Sequence, residues 1–310
     1  MLQLNFNPKK TTRLFGLENE FNFLKKMISS DKFPKTLMLT GNRGVGKSTM
    51  ISHLMHYYFD KKNYNENKNT FANESVFLNQ FIGNLFPNIL YLNGSDYQNV
   101  RIDDIRKIIN DLNKSPIKKD KRFIILDDID SFNINSLNAL LKIIEDPGKN
   151  NFFILINNKS NKLLNTIKSR SIEIKIMINN QDRLSISTSL LKYFNQDRIF
   201  DENLVSSTPG NFLKFNYIFN NNSLNINEKF LTNFSNILRI YKKEKDIFYK
   251  EMLLFFVEYN FQKLKSQGML DNKKLIEKRL MILQNINDFF LYNLNQNTLL
   301  SNLEENYFDD

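Results

Sequence analysis

The chain has 310 residues, 41% hydrophobic and 25% charged, which suffices for two or three domains with their own cores. It contains no cysteine, so disulfides and cysteine-based zinc sites are excluded. Its 43 Lys and Arg against 33 Asp and Glu give a net charge of +10 and favour polyanionic partners, nucleic acid first, although a genome biased toward Lys, Asn, Ile and Phe gives the same balance.

No apolar run reaches the length of a bilayer span, and residues 1–6 lack the basic, apolar and small regions of a signal peptide. The expectation is a cytoplasmic protein with no membrane contact.

The first half alternates short apolar runs with helical patterns, the signature of a parallel α/β sheet. The candidate strands are Thr36–Thr40, Ile89–Leu92, Phe123–Leu126, Phe152–Ile156 and Ile172–Ile176. Each is nearly continuous in hydrophobic residues, as strands buried on both faces are. A helix is expected over residues 47–59. Residues 64–73 are rich in Asn and read as a surface loop. Leu137, Leu140, Leu141 and Ile144 recur at helical spacing, and that helix stops before Pro147. Beyond residue 178 only helices are predicted, over 181–194, 209–219, 227–241, 244–266 and 272–294. The polar run Asn220-Asn221-Asn222-Ser223 marks a boundary. The resulting division is 1–178, 179–221 and 222–310.

Between the first strand and the helix after it lies Gly41-Asn42-Arg43-Gly44-Val45-Gly46-Lys47-Ser48, followed by Thr49. Strand, glycine loop and helix in that order form a phosphate-binding loop, whose backbone N–H groups and helix dipole surround phosphate oxygens. Lys47 supplies a point charge to the β- and γ-phosphates, and Ser48 offers its hydroxyl to Mg2+. The strand Phe123–Leu126 ends in Asp127 and Asp128. Asp127 is expected to hold the magnesium. Asp128 stands where many such ATPases place the glutamate that orients the attacking water, and it is one methylene shorter. The expected cofactors are ATP or ADP with Mg2+, and no zinc.

Asn138-Ala139-Leu140-Leu141-Lys142-Ile143-Ile144-Glu145-Asp146-Pro147 resembles the "NALLKxLEEP" helix of clamp-loader ATPases. Leu163-Leu164-Asn165-Thr166-Ile167-Lys168-Ser169-Arg170-Ser171 resembles their "LLPTIRSRC" segment. With Leu14-Phe15-Gly16 ahead of the first helix, the chain resembles the AAA+ clamp-loader family, most closely the delta-prime branch of bacterial DNA polymerase III. The resemblance is strong over about residues 13–178 and weak beyond. It implies a five-stranded AAA+ domain, a small helical lid and an all-helical collar. It also implies a heteropentamer with other clamp-loader subunits that places a sliding clamp on primed DNA. Arg170 matches an arginine finger given in trans to a neighbour's ATP, and Asn158 matches the residue that senses the γ-phosphate. Gly210 stands where motor subunits carry a lid arginine, which favours the delta-prime branch. Two alternatives remain open: a self-sufficient AAA+ motor acting on DNA, and a nucleotide-binding subunit that does not hydrolyse.

Three smaller features read as structural. His53 and His56 lie three apart on one helix with no third metal ligand in evidence, and are expected to pack. The charge run Lys118–Arg122 reads as a solvated turn, while Arg101, Arg106 and Lys107 are DNA candidates by family position alone. Phe255, Phe256, Tyr259 and Phe261 are expected in a core or subunit contact rather than as a base-stacking platform.

Overall fold

The computed structural model describes residues 6–94, 100, 102–112, 121–267 and 272–307. They form two compact units. One comprises residues 2–189 with 208–210, and the other residues 190–207 and 211–310. Among the described residues no helix is long and apolar enough to cross a membrane.

The first unit runs α1 (Glu18–Ser29), β1 (Thr36–Thr40), α2 (Lys47–Phe59), β2 (Tyr64–Asn65), β3 (Thr70–Phe71), α3 (Val76–Ile82) and β4 (Ile89–Asn93). It continues with α4 (Ile102–Leu112), β5 (Arg122–Asp127), α5 (Ile134–Glu145), β6 (Asn151–Asn157), α6 (Asn165–Lys168), β7 (Ile172–Lys175) and α7 (Asn180–Tyr193), which ends in the second unit. The main sheet has the order β4-β5-β6-β1-β7, and every pairing in it is parallel. This is the expected α/β fold class. Strands β1 and β5 are buried along their whole length because helices cover both faces of the sheet.

β7 departs from the sequence expectation of a strand buried on both faces. Ile172, Glu173 and Lys175 are exposed, because among the described residues β7 is an edge strand that pairs with β1 alone. The alternation Ile-Glu-Ile-Lys fits such an edge, where charge discourages further pairing.

The expected loop over residues 64–73 is instead a small antiparallel hairpin, β2–β3, with Tyr64 and Phe71 buried. Both rings pack on α2 beside two buried histidines. His53 hydrogen-bonds Tyr64 through Nδ1 and the Thr11 carbonyl through Nε2, each at 3.1 Å. A carbonyl only accepts, so Nε2 carries the proton and Nδ1 accepts from the phenol. His56 stacks on Phe71 at 3.7 Å with an interplanar angle of 6°, and neither of its ring nitrogens has a hydrogen-bond partner among the described residues. The histidines therefore pack, as the sequence suggested.

Burial pushes both imidazoles down to about 3. The native state keeps them neutral, whereas the unfolded chain protonates below its ordinary histidine range. Stability is therefore complete above about pH 6.5 and is lost as pH falls toward 3, by about 1.4 kcal/mol per pH unit for each histidine. Urea denaturation is expected to show a loss of about 2–3 kcal/mol between pH 7.5 and 5.5. His56→Leu is expected to halve that loss, and an unchanged pH slope would contradict the assignment.

The second unit contains most of α8 (Pro209–Asn221), then α9 (Phe230–Glu244), α10 (Phe248–Ser266), α11 (Asn272–Tyr292) and α12 (Gln296–Tyr307). Its core is aromatic. Phe200 meets Phe219, Phe255 and Tyr259 edge-on, and Phe230 stacks on Phe256 at 5.4 Å. The C-terminal aromatics are thus core residues, as expected. α11 is joined to α10 by a bidentate pair, in which Arg279 Nε and a terminal guanidinium nitrogen donate to Glu258 at 2.8 and 2.6 Å. α12 was not predicted from the sequence. Its buried Leu299 and Leu303 are spaced for one helical face, but Asn and Glu surround them.

Candidate functional site

The fully buried strand β1 delivers the chain into residues 41–46 at the C-terminal edge of the sheet. Gly44 and Gly46 have φ of +86° and +99°, a left-handed backbone that side chains with a Cβ avoid. Gly46 precedes α2, whose first turn holds no acidic residue, so the helix N-terminus keeps its positive potential. Val45 turns its side chain into the core and leaves only its backbone to a ligand. Asn42 is exposed and Thr49 half-buried.

Lys47 is 3% exposed, and its ammonium donates to the carbonyls of Gly41 and Asn42 at 2.6 and 2.9 Å. Burial pulls its pKa down to about 8, against the opposing pull of the Asp127 and Asp130 carboxylates. Asp127 ends β5. Burial raises its carboxyl above the ordinary range, opposed by hydrogen bonds from the Ser48 hydroxyl and from Tyr91, whose phenol donates at 2.8 Å. Ser48 and Asp127 therefore already share one locus. A hydroxyl and a carboxylate there fit a Mg2+ that takes its remaining ligands from water and phosphate.

Asp128 has a φ of +58° and turns the chain out of β5 into a short 3-10 turn over residues 129–131. Asp tolerates this region better than most residues. The turn aims its carboxylate at two partners. Arg43 donates at 2.6 Å from the glycine loop, and the Asn158 amide donates at 2.9 Å from the end of β6. Arg43, Lys47, Ser48, Asp127, Asp128 and Asn158, scattered over 116 positions (158 − 43 + 1), thus form one hydrogen-bonded and charged cluster.

Asp130, the contacts of Thr208 and Gly210 with the loop, and a neighbouring cleft have no counterpart in the sequence pattern. Asp130 is buried and holds the segment after β6: Oδ1 accepts from Asn158 N at 2.9 Å, and Oδ2 from Ser160 N and Asn161 N at 2.6 and 3.2 Å. A third acid so close behind Asp127 and Asp128 was the available signal. Thr208 donates its hydroxyl to the Arg43 carbonyl at 2.7 Å, and Gly210 N–H donates to the Gly44 carbonyl at 2.9 Å. A Cβ at Gly210 would lie 2.8 Å from that oxygen. Finally, a cleft of about 480 Å³ is lined by Phe15, Gly16, Leu17, Met177, Ile178 and Ile186 among others. Leu17 also reaches Gly46, with its Cδ1 3.4 Å from where a Cβ there would stand, so the cleft adjoins the glycine loop.

Arg170 lies outside the cluster. It follows α6, is 39% exposed at its side chain, and pairs with Glu145 at the end of α5 at 2.6 Å while donating to the Thr166 carbonyl at 3.1 Å. Arg106 and Lys107 lie on α4, exposed and paired with Asp103 and Asp104. Arg101 and Lys118–Asp120 lie outside the described residues.

A parallel sheet of order β4-β5-β6-β1-β7, with the glycine loop after β1 and paired acids after β5, places the first unit in the P-loop AAA+ class. Residues 16–180 match the family described as DNA polymerase III, delta subunit, and the chain belongs to that family, of the delta-prime-like clamp-loader AAA+ type.

Curated relatives include both delta' and gamma subunits of DNA polymerase III. A DNA polymerase III subunit delta' of Buchnera aphidicola (subsp. Baizongia pistaciae) is 22% identical over 78% of this chain and 67% of its own length. The delta' subunit of Pseudomonas aeruginosa is 30% identical over 24% of this chain and 23% of its own. A DNA polymerase III subunit gamma of Buchnera aphidicola (subsp. Acyrthosiphon pisum) is 21% identical over 59% of this chain. The chain spans 50% of that gamma subunit's length.

Proposed function

We propose that this chain is a delta-prime-type, stator-like subunit of a clamp loader in DNA replication. It binds ATP or ADP with Mg2+ on the loop 41–48, in a cytoplasmic heteropentamer that places a sliding clamp on primed DNA. The cleft beside Leu17 receives the base, since it is contiguous with the loop and its volume is that of a small-molecule site. Residues 179–221 act as the lid and 222–310 as the collar.

In this reading Arg170 acts on the neighbouring subunit's nucleotide. The observation that carries it is the placement of Arg170, exposed and held by Glu145, outside the charge cluster of its own chain. An arginine delivered in trans stabilises the charge that develops on a transferring phosphoryl group and is worth about 10³-fold or more in rate. A second reading, nucleotide held without hydrolysis, is favoured by Asp128, because a carboxylate engaged by Arg43 and Asn158 is not available to orient water.

The test is a reconstituted loader carrying Arg170→Ala. Clamp- and DNA-stimulated turnover at the adjoining subunit is expected to fall by about 10³-fold, with nucleotide affinity at this subunit unchanged. Unaltered turnover at the adjoining site would remove Arg170 from the mechanism.

A further inference from the structure

We propose that Arg43 is an internal stand-in for the ligand's charge: it holds Asp128 while the loop is empty and exchanges that carboxylate for a phosphate when nucleotide arrives. The proposal rests on the reading of residues 41–48 as a nucleotide site and adds a competition within it.

Three observations support the exchange. First, Arg43 is the third residue of the glycine loop, yet its guanidinium is directed across to Asp128 at 2.6 Å, 85 residues away in sequence. Second, its backbone is fixed while its side chain is not enclosed. The Arg43 carbonyl accepts from Thr208, whereas the side chain is 23% exposed against 3% for Asp128. The guanidinium is therefore the partner able to swing. Third, Lys47 is also turned inward onto carbonyls of its own loop, so both loop cations are engaged by the protein itself.

A triphosphate carries several negative charges and presents oxygens that match the guanidinium fork. It therefore outcompetes a single carboxylate. Asp128 keeps the Asn158 amide after Arg43 leaves, so the same event frees one side of the acid that faces the site. Before the exchange Asp128 weakens nucleotide binding by engaging Arg43. After it, Arg43 is a phosphate ligand. The contact is thus both an autoinhibitory restraint and a report of occupancy.

The experiment uses the full chain, with ATP titrated calorimetrically in the absence of divalent cations. Asp128→Asn keeps an oxygen for the Asn158 amide but loses the charge that holds Arg43, and it is expected to bind ATP about tenfold more tightly than wild type. Adding Arg43→Ala to Asp128→Asn is expected to weaken binding about tenfold, because the released guanidinium is then missing from the phosphates. Arg43→Lys in the same background retains charge without the fork and is expected to fall between.

A pair that serves only the fold predicts that the double variant binds ATP as tightly as Asp128→Asn, and that result overturns the exchange. Lys47→Ala separates the two readings. If it abolishes binding while the double variant matches Asp128→Asn, the site stands and the exchange falls. If wild type and every variant are folded and none binds ATP, both fall together.

Discussion

Asp130→Ala is expected to cost about 2–4 kcal/mol of stability and to loosen Asn158 from Asp128. The carboxylate is 4% exposed and accepts three backbone N–H groups, those of Asn158, Ser160 and Asn161. Its backbone carbonyl accepts a further bond from the Asn161 side chain at 3.0 Å. Hydrogen bonds to a charged acceptor are stronger than neutral ones, and removing the acceptor takes the shared anchor from three N–H groups of a segment whose Ser160 and Asn161 are themselves exposed. Asp130→Asn keeps the shape and one good acceptor, so about half the loss is expected. Urea denaturation measures the stability. Amide exchange at residues 158, 160 and 161 measures the local effect, and it is expected to quicken there well before β6 itself is affected. A variant as stable as wild type with unchanged exchange would mean that the loop is held by something other than Asp130. For the proposed function the consequence is larger than the stability loss, since Asn158 reaches Asp128 only because its own backbone is anchored.

Gly210→Ala is expected to destabilise, against the usual direction for replacing glycine in a helix. Glycine near a helix start ordinarily carries an entropic cost, and alanine recovers about 0.5–1 kcal/mol. At this position the new Cβ would stand 2.8 Å from the Gly44 oxygen and 3.1 Å from the Gly44 Cα, both backbone atoms. Neither can rotate away, so the start of α8 would have to withdraw. It would strain the bond from Gly210 N–H to the Gly44 carbonyl at 2.9 Å and the one from Thr208 to the Arg43 carbonyl at 2.7 Å. Overpacking of this kind costs about 1–3 kcal/mol. Gly210→Arg carries the same Cβ. Installing the lid arginine of motor subunits is therefore expected to displace the segment rather than create a working sensor, with the melting temperature lowered as in Gly210→Ala. A rise in melting temperature for Gly210→Ala would refute the close approach.

These two residues illustrate where local reading stops. Gly210 was noticed in the sequence as the absence of an arginine, but its reason is a van der Waals contact with a loop 166 positions earlier (210 − 44). In sequence Asp128 is a shortened catalytic acid, and its pairing with Arg43 leaves no trace there because nothing local relates a loop after β1 to a turn after β5. The hairpin Tyr64–Phe71 was missed for a related reason. Its strands are two residues each, its polar Asn content reads as a loop, and its two buried aromatics are held by His53 and His56 on α2 rather than by any pattern of their own.

What was legible rests on short-range physics. Apolar runs of strand length located the inner strands β5, β6 and β1, because a strand covered on both faces must be apolar along most of its length, whereas the edge strand β7 alternates Ile with Glu and Lys. The glycine loop and the paired acids were legible for a similar reason: φ near +90°, as at Gly44 and Gly46, favours glycine, and the carboxyl ends of parallel strands are where ligand-binding groups gather. Folding alone decided which charges meet. It set Arg43 on Asp128, Asp130 beneath Asn158, Lys47 on its own loop and Arg170 on Glu145, since ion pairs and hydrogen bonds act over a few ångströms of space and carry no signature along the chain.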